Sequence, residues 1–235
     1  FVTPSPRCHS STAAIMRRAL QYGKMSGRFM ALHAEDPSLT AGGQMHEGPA
    51  SARLGLAGIP SISESLEVAR ALGVAAYEDA GLHLCHVSTA DSVQAIAHAK
   101  EAGLRVTTEA TPHHLTLVDE CVASLDPNLK MSPPLRSESD REALVEALRS
   151  GLIDCVATDH APHAPEEKDV PFEEAPFGCI GLETAFSVLY GGLVASKALD
   201  LATLVTRMSA APARIAGLPA PSVSAGATAD LCIVD

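Results

Sequence analysis

The sequence predicts an α/β fold, in which a parallel sheet is covered by the helices that connect its strands. Two observations predict it. Short apolar runs alternate with longer stretches of helical spacing, and several of these runs end in a histidine or an aspartate. The alternation is typical of parallel sheets, whose strands need crossover connections. The polar endings fit the same class, because barrels and open α/β sheets place chemistry at the carboxyl ends of their strands.

Four apolar runs are candidate strands. Each is rich in aliphatic residues and short enough for a buried strand. The second and third are separated by one helical stretch, which predicts a βαβ unit. In chain order the runs are RFMALH (28–33), LHLCHV (82–87), LRVTTEA (104–110) and IDCVAT (153–158).

The candidate helices lie between and after these strands. Residues 11–23 place Ile15, Ala19 and Tyr22 at helical spacing. Residues 62–79 are expected to begin at Ser63, with acidic residues near the positive end of the helix. The remaining candidates are 91–102, 138–150 (opened by Ser137 or Ser139), 181–195 and 199–208.

Composition indicates a globular, acidic protein. The 235 residues are 46% hydrophobic and 19% charged, enough for one large domain with a core. The net charge of −11 argues against nucleic acid or an anionic membrane as the main partner. No apolar run reaches membrane-spanning length, and no signal peptide is recognised. Six scattered cysteines without a CxxC pair favour the reducing cytoplasm and no disulfide framework.

Two segments depart from the strand–helix pattern. Residues 163–180 contain three prolines and four glutamates without periodicity, which predicts a long loop of functional type. Residues 219–235 change from Pro, Ser and Gly to one apolar strand, as if a small β domain begins there. We therefore expect an incomplete barrel domain over 1–218 and the start of a second domain over 219–235.

Three strand endings form a candidate metal site. His33, His86 and Asp159 each end a predicted strand. Imidazole nitrogen and carboxylate oxygen are natural ligands of zinc. In a parallel barrel these strand ends converge on one rim, so the three side chains can meet. The alternatives are a hydrogen-bonded structural role for each histidine and a turn-capping role for Asp159.

Other polar residues are weaker candidates for a functional site. His113 and His114 follow the third strand, and adjacent strand residues point in opposite directions, so at most one is expected to reach a site. Cys85 lies among apolar residues and is read as core rather than nucleophile. Glu35 and Asp36 can form an acid/base pair, although solvation at a helix start is the favoured interpretation. The segment HEGP (46–49) is read as a turn.

Seven motifs together resemble one family. The set is similar to the bacterial dihydroorotases of the amidohydrolase superfamily, on the long-chain branch, over residues 11–235. Related hydantoinases and allantoinases share the strand-end His, His and Asp but differ around the last two motifs. In order, the motifs are HAED (33–36), CHVST (85–89), TPHHL (111–115), KMSPPLR (130–136), ATDHAPH (157–163), APFGCIGLET (175–184) and AGATADLCIVD (225–235).

The resemblance implies a fold and a reaction. The fold is a partial (β/α)8 TIM-type barrel of the metal-dependent amidohydrolase kind, with the start of a small β-sandwich at the carboxyl end. The reaction interconverts N-carbamoyl-L-aspartate and L-dihydroorotate in pyrimidine biosynthesis. In the family that the motifs resemble, two zinc ions polarise the ring amide and lower the pKa of a bound water, which then supplies hydroxide.

The resemblance also implies roles for single residues. His33 and His86 correspond to ligands of the second metal. Asp159 corresponds to a ligand of the first metal and to the general base and acid. Ser132 stands where the family usually has an asparagine, and its shorter side chain has fewer hydrogen-bonding groups. The implied substrate contacts are Ser132, His163, Phe177 and Gly178.

The chain departs from the family at its amino-terminal end. It has no His-x-His pair, no arginine following such a pair, and no Asp or Glu in residues 1–34. One metal's main ligands are therefore absent. We expect the carboxyl-terminal two-thirds of a dihydroorotase-like chain, which forms a homo-oligomer when full length and whose own activity is in doubt.

Two other functions stay open. The chain can be another cyclic amidohydrolase, such as a hydantoinase or allantoinase, although PPLR and ATDHAPH speak against it. It can also be a non-catalytic scaffold for aspartate transcarbamoylase, which would fit the lost ligands. The retained His33, His86, Asp159 and His163 argue against a pure scaffold.

Overall fold

The computed structural model describes residues 12–234. Within this range the strands are β1 (Met30–Leu32), β2 (Met45–His46), β3 (Gly58–Ile59), β4 (Leu82–Leu84), β5 (Val106–Ala110) and β6 (Cys155–Val156). The α-helices are α1 (Ala13–Met25), α2 (Pro37–Thr40), α3 (Pro49–Leu54), α4 (Ile62–Glu78), α5 (Ala90–Glu101), α6 (Pro112–Thr116), α7 (Glu138–Ser150), α8 (Pro165–Lys168), α9 (Ala185–Leu189), α10 (Leu201–Val205) and α11 (Ala211–Ile215).

The main sheet contains all four predicted strands. Its order is β1-β4-β5-β6, and every neighbouring pair is parallel. The strands lie side by side in chain order and are joined by helices, as in the wall of a (β/α) barrel. The predicted α/β class is therefore confirmed. The strands are shorter than expected, because the chain leaves the sheet before the polar residues that follow β1, β4 and β6.

The two faces of the sheet differ in chemistry because successive strand residues point to opposite sides. One face carries Leu32, Leu82 and Leu84, which pack with α1, α4, α5 and α7 in the main hydrophobic core. On the opposite face, His83 of β4 lies in register with Thr107 of β5. This opposite face is polar, and it adjoins the candidate site.

Helix boundaries follow capping chemistry. The Ser137 side chain accepts a hydrogen bond from the Asp140 amide, so Ser137 is the capping residue of α7. Gly151 ends that helix in the left-handed region, at φ 90°. α4 begins at Ile62 after Ser61, one residue before the predicted start at Ser63.

A second layer forms around a small parallel sheet of β2 and β3. Its core includes Met45, Val122, Leu135 and Phe172, which lie far apart in sequence. The turn predicted over 46–49 is confirmed at residues 47–48 alone, because His46 pairs with Ile59 in this sheet and Pro49 begins α3. Two-residue strands have no period that a sequence can show.

Three further predictions differ in detail. The predicted loop 163–180 contains the short helix α8. The predicted helices 181–195 and 199–208 are not α-helical throughout. The α-helical parts, α9 and α10, are short, and each continues into a π-helical turn. His113 and His114 lie on α6 rather than on a strand, so the argument from strand alternation does not apply to them.

Residues 219–234 are exposed and form neither helix nor strand, and the domain division at 218/219 stays a prediction. The start of the helix predicted at residue 11 lies outside the described residues. No helix within 12–234 is both long and apolar enough to span a membrane.

The core predicts a stability difference between two leucines. Leu84 is 0% exposed beneath the helices, whereas Leu66 on α4 is 50% exposed. We expect Leu84→Ala to lower the free energy of unfolding by about 2–5 kcal/mol, because it removes buried contacts and leaves a cavity. Leu66→Ala should change it by less than about 0.5 kcal/mol. Urea unfolding of both variants measures this, and equal effects would contradict the proposed core.

Candidate functional site

Two strand-end histidines meet at the carboxyl edge of the main sheet. His33 directly follows β1, and His86 follows β4 by two residues. The Nδ1 atom of His33 lies 2.9 Å from the Nε2 atom of His86, and the rings meet edge to face. The predicted convergence of these two residues is therefore present in the structure.

A carboxylate sets the tautomer of His33. The Nε2–H group of His33 donates to Glu35 Oε2 over 2.9 Å, which leaves the lone pair on Nδ1, the atom that faces His86. This hydrogen bond is the main cause that lowers the pKa of Glu35 to about 2, so Glu35 is ionised at neutral pH. Thr40 Oγ1 and Ser132 Oγ also donate to Glu35, at 2.6 and 3.2 Å. A carboxylate behind a metal-binding histidine commonly fixes ring orientation in this way.

The histidine pair fits a zinc ion. Burial, followed by the charge of His33, lowers the pKa of His86, so its ring is neutral as a ligand must be. Zinc holds imidazole nitrogens at about 2.0–2.1 Å, which places two tetrahedral ligands about 3.3 Å apart. The 2.9 Å separation needs to widen by only a few tenths of an ångström.

Asp159 does not complete the predicted group of three, because within residues 12–234 its carboxylate oxygens do not lie within 4.8 Å of ligand atoms of both histidines. It follows β6 by three residues and is exposed. Its charge raises the pKa of His86, against the larger effect of burial, which lowers it. Asp159 and His86 both have left-handed backbone, with φ values of 48° and 34°. Such strain in non-glycine residues is concentrated at functional sites.

Three of the four residues assigned to substrate contact form one cluster. The His163 Nε2–H group donates to the Phe177 carbonyl oxygen over 2.9 Å. The Gly178 amide donates to the Lys130 carbonyl oxygen, also at 2.9 Å. A Cβ atom on Gly178 would lie 2.8 Å from the Ala161 carbonyl oxygen, so no other residue fits there without movement.

Ser132 joins this cluster to the histidine pair. It lies two residues after Lys130, whose ammonium group is 4.9 Å from the centre of the Phe177 ring. Its hydroxyl donates to Glu35, the carboxylate that orients His33. The serine is therefore placed at the site, with its hydroxyl directed at protein rather than left free.

His113 and His114 contact the loops that border the site. His114 Nε2 lies 3.0 Å from the Pro133 carbonyl oxygen, which anchors the segment that carries Ser132. Burial is the main cause that lowers the pKa of His114 to about 3. The His113 Nδ1 atom lies 3.6 Å from the Cys179 sulfur. Both rings are therefore engaged by neighbouring loops.

A buried carboxylate holds the loop that follows His86. Glu64 of α4 accepts hydrogen bonds from the Ser88 and Thr89 amides at 3.0 and 3.1 Å, and from both hydroxyls. Arg136 lies 3.8 Å from the same carboxylate, donates to Ser88 Oγ, and donates to the Ile59 carbonyl oxygen. From the sequence, Glu64 is one of the acidic residues expected near the positive end of this helix, with no further role. Nothing in the PPLR motif indicated that its arginine would pair with Glu64.

Comparison with known proteins decides the family. The model of the amidohydrolase family matches residues 5–235. The chain belongs to the amidohydrolase family. Its α/β fold and its strand-end histidines agree with the expectations drawn from the motifs.

Curated relatives are identical to this amidohydrolase chain at close to half of the aligned positions. The dihydroorotase of Pelotomaculum thermopropionicum is 49% identical over 223 residues, which cover 95% of this chain and 52% of the relative. The dihydroorotase of Bacillus subtilis is 45% identical over 224 residues, with the same coverage. The chain therefore spans about half the length of these relatives, rather than the two-thirds expected from the motifs.

Solved structures of related hydrolases share the fold. The dihydropyrimidinase of Brevibacillus agri superimposes with a TM-score of 0.82 at 25% identity, covering 97% of this chain and 52% of that structure. The L-hydantoinase of Arthrobacter aurescens gives a TM-score of 0.80 at 27% identity, covering 92% and 49%.

The Glu64 network predicts a large effect of one isosteric change. We expect Glu64→Gln to lower the free energy of unfolding by about 3–5 kcal/mol, because it leaves Arg136 buried beside an unmatched group. The control is Glu146→Gln, which breaks the exposed pair with Arg149 and should leave the free energy of unfolding close to that of the unmodified chain. Chemical unfolding measures both, and a small effect at Glu64 would show that the network does not hold the loop.

Proposed function

We propose that this chain acts as part of a dihydroorotase, a metal-dependent hydrolase that interconverts N-carbamoyl-L-aspartate and dihydroorotate. The observation that supports it most is the meeting of His33 Nδ1 and His86 Nε2 at 2.9 Å. The similarity to curated dihydroorotases at 45–49% identity supports the substrate class. Since the chain spans about half of these relatives, the activity is proposed for the protein that contains it.

We assign zinc to the histidine pair. His33 would bind through Nδ1 and His86 through Nε2, with Glu35 keeping the His33 lone pair on the correct atom. When bound, zinc polarises an amide carbonyl and lowers the pKa of a bound water. This chain's own contribution is to hold two neutral imidazoles at the carboxyl edge of the sheet.

Asp159 is proposed as a further metal ligand and as the group that moves the proton. Its exposed position leaves one face open to a substrate, and its strained backbone turns it out of the strand direction. Its charge also favours a cation near His86. A carboxylate placed here can take the proton from the attacking water and deliver it to the leaving nitrogen.

The His163, Phe177 and Gly178 cluster is proposed to contact the substrate, together with Ser132. The Phe177 carbonyl holds the His163 ring through Nε2, and the Nδ1 atom on the other edge lies 3.5 Å from Glu167 Oε2. The close approach of Gly178 to Ala161 keeps this loop beside the segment that carries Asp159. These contacts give the loop one position relative to the proposed metal.

One different reaction is supported by a specific observation. The fold matches a dihydropyrimidinase and hydantoinases, which also belong to the cyclic-amide hydrolases by their names. Their identity of 25–27% is well below that of the dihydroorotases, so dihydroorotate is the favoured substrate. The scaffold role, the aspartate transcarbamoylase partner, the homo-oligomer and the cytoplasmic location stay predictions.

Removal of either histidine should remove one zinc ion. We expect His33→Ala or His86→Ala to weaken zinc binding at this site by more than about 100-fold, since loss of an outer partner alone costs about 10–100-fold. His98→Ala is the matched control, because His98 is exposed on α5. Equilibrium dialysis measures bound zinc per chain. Unchanged zinc in both site variants would overturn the assignment.

Substrate and base can be tested in one set of assays. A chimaera joins this chain to the part of the Pelotomaculum relative that it does not cover. We expect this chimaera to open dihydroorotate faster than hydantoin or allantoin. Asp159→Asn should lower turnover by about 10²–10⁴-fold because it removes the proton-transfer group. Asp169→Asn, at an exposed aspartate, should keep full turnover.

The controls separate the two parts of this proposal. Faster opening of hydantoin would favour the second reaction over dihydroorotase. Near-normal turnover of Asp159→Asn would contradict the role of Asp159 for either substrate.

A further inference from the structure

Lys130 is a buried cation on the segment that carries Ser132. It is 2% exposed, and burial is the main cause that lowers its pKa. Within the described residues its ammonium group donates to two main-chain carbonyl oxygens, those of Phe172 and Glu173, at 2.9 Å each. A buried charge is costly unless it is hydrogen-bonded, and an apolar side chain would fill this position without that cost. The ammonium group therefore supplies directed hydrogen bonds as well as packing.

Two phenylalanine rings lie around the same ammonium group. The Lys130 Nζ atom is 5.5 Å from the centre of the Phe172 ring and 4.9 Å from that of the Phe177 ring. A cation within about 6 Å of a ring centre is attracted by the electrons of the ring face. Phe172 belongs to the buried core of the second layer, whereas Phe177 is at the surface. One side chain thus contacts both ends of residues 172–177, which with Gly178 form the lysine-bound loop.

Main-chain contacts complete the attachment of the lysine-bound loop. The Lys130 carbonyl oxygen accepts a hydrogen bond from the Gly178 amide at 2.9 Å. A second lysine joins the same two parts of the chain, because Lys168 Nζ donates to the carbonyl oxygens of Pro176 and Pro127 at 2.8 and 3.0 Å. The loop is consequently held at its beginning and at its end by the segment that leads to Ser132.

We propose that Lys130 is a positioning residue for the substrate, which it does not touch. By holding the lysine-bound loop, it sets the place of the Phe177–Gly178 backbone relative to Ser132, two residues further along its own segment. This inference rests on the proposed function, which assigns substrate contact to these three residues. Because the buried ammonium group joins the two parts, they are held in one arrangement before the substrate binds, and less ordering is needed on binding.

The variant Lys130→Met tests this, because it keeps an unbranched side chain and removes the ammonium group. In the chimaera defined above we expect the KM for dihydroorotate to rise about 10-fold or more with kcat nearly unchanged, since binding geometry is lost and the proton-transfer group is kept. The matched control is Lys100→Met. Lys100 also donates to a main-chain carbonyl oxygen, that of Leu152, but it lies on α5, away from the lysine-bound loop. Its loss should leave the KM unchanged even where it lowers stability.

Hydrogen exchange gives a second readout that does not depend on turnover. In the 235-residue chain we expect Lys130→Met to speed exchange of the Gly178 amide by about 10-fold or more, because the loop opens more often. The amides of α7 should keep their rates. Faster exchange in both places would indicate a general loss of stability and would contradict a positioning role.

Each outcome decides the proposal. An unchanged KM, or unchanged exchange at Gly178, would overturn it, because the two changes must occur together. A chimaera that opens no dihydroorotate, combined with faster exchange at Gly178, would contradict the proposed function and still support the attachment of the loop by Lys130. Should Lys130→Met fail to fold by circular dichroism, Lys130→Gln replaces it, and the same two results are required of it.

Discussion

The buried Glu64 carboxylate is the interaction on which the geometry of the site depends. It lies at the start of α4, where it accepts hydrogen bonds from the two residues that follow Val87 and lies beside Arg136. Glu64 and Arg136 are both 3% exposed, and Ser88 and Thr89 are 0% exposed. A buried ion pair is stabilising only when its remaining hydrogen-bonding groups are matched, and here they are. The loop after β4 is consequently held in one position, and His86 with it.

Hydrogen bonds connect this loop to the residues of the proposed metal site. Glu35 orients His33, and Ser132 and Thr40 hold Glu35. The segment that carries Ser132 is held by the contact of His114 with the Pro133 carbonyl oxygen. The same segment continues to Arg136, whose guanidinium group lies 3.8 Å from the Glu64 carboxylate. The apolar face of the sheet supplies stability, whereas the polar edge and polar face are left free for chemistry. His33 Nδ1 and His86 Nε2 are therefore held facing each other at 2.9 Å.

Much of this organisation could be predicted from residues alone. The apolar runs identified the four strands of the main sheet, because buried parallel strands need continuous aliphatic stretches. Parallel strands end at one edge, so the meeting of His33 and His86 followed from their positions. The family could be recognised from spaced motifs, although the share of the relatives' length was overestimated.

The remainder depends on information that local patterns do not contain. β2 and β3 are too short to show a period. Strand alternation was wrongly applied to His113 and His114, which follow the third strand, since Thr111 and Pro112 are a capping residue and a first-turn proline. The left-handed backbone at His86 and Asp159, and the pairing of Glu64 with a loop 24 residues away, arise from tertiary packing. Cys85 was read as core, yet its sulfur lies within 4.8 Å of ligand atoms of His83 and Glu109.

The central claim is that His33 and His86 share one cation. The most direct measurement follows the imidazole nitrogen-15 resonances of the chain by NMR during a zinc titration. The account predicts that His33 Nδ1 and His86 Nε2 shift together, with the same zinc dependence, while His33 Nε2 stays bonded to Glu35. Shifts at only one of the two rings, or at the opposite nitrogens, would contradict it.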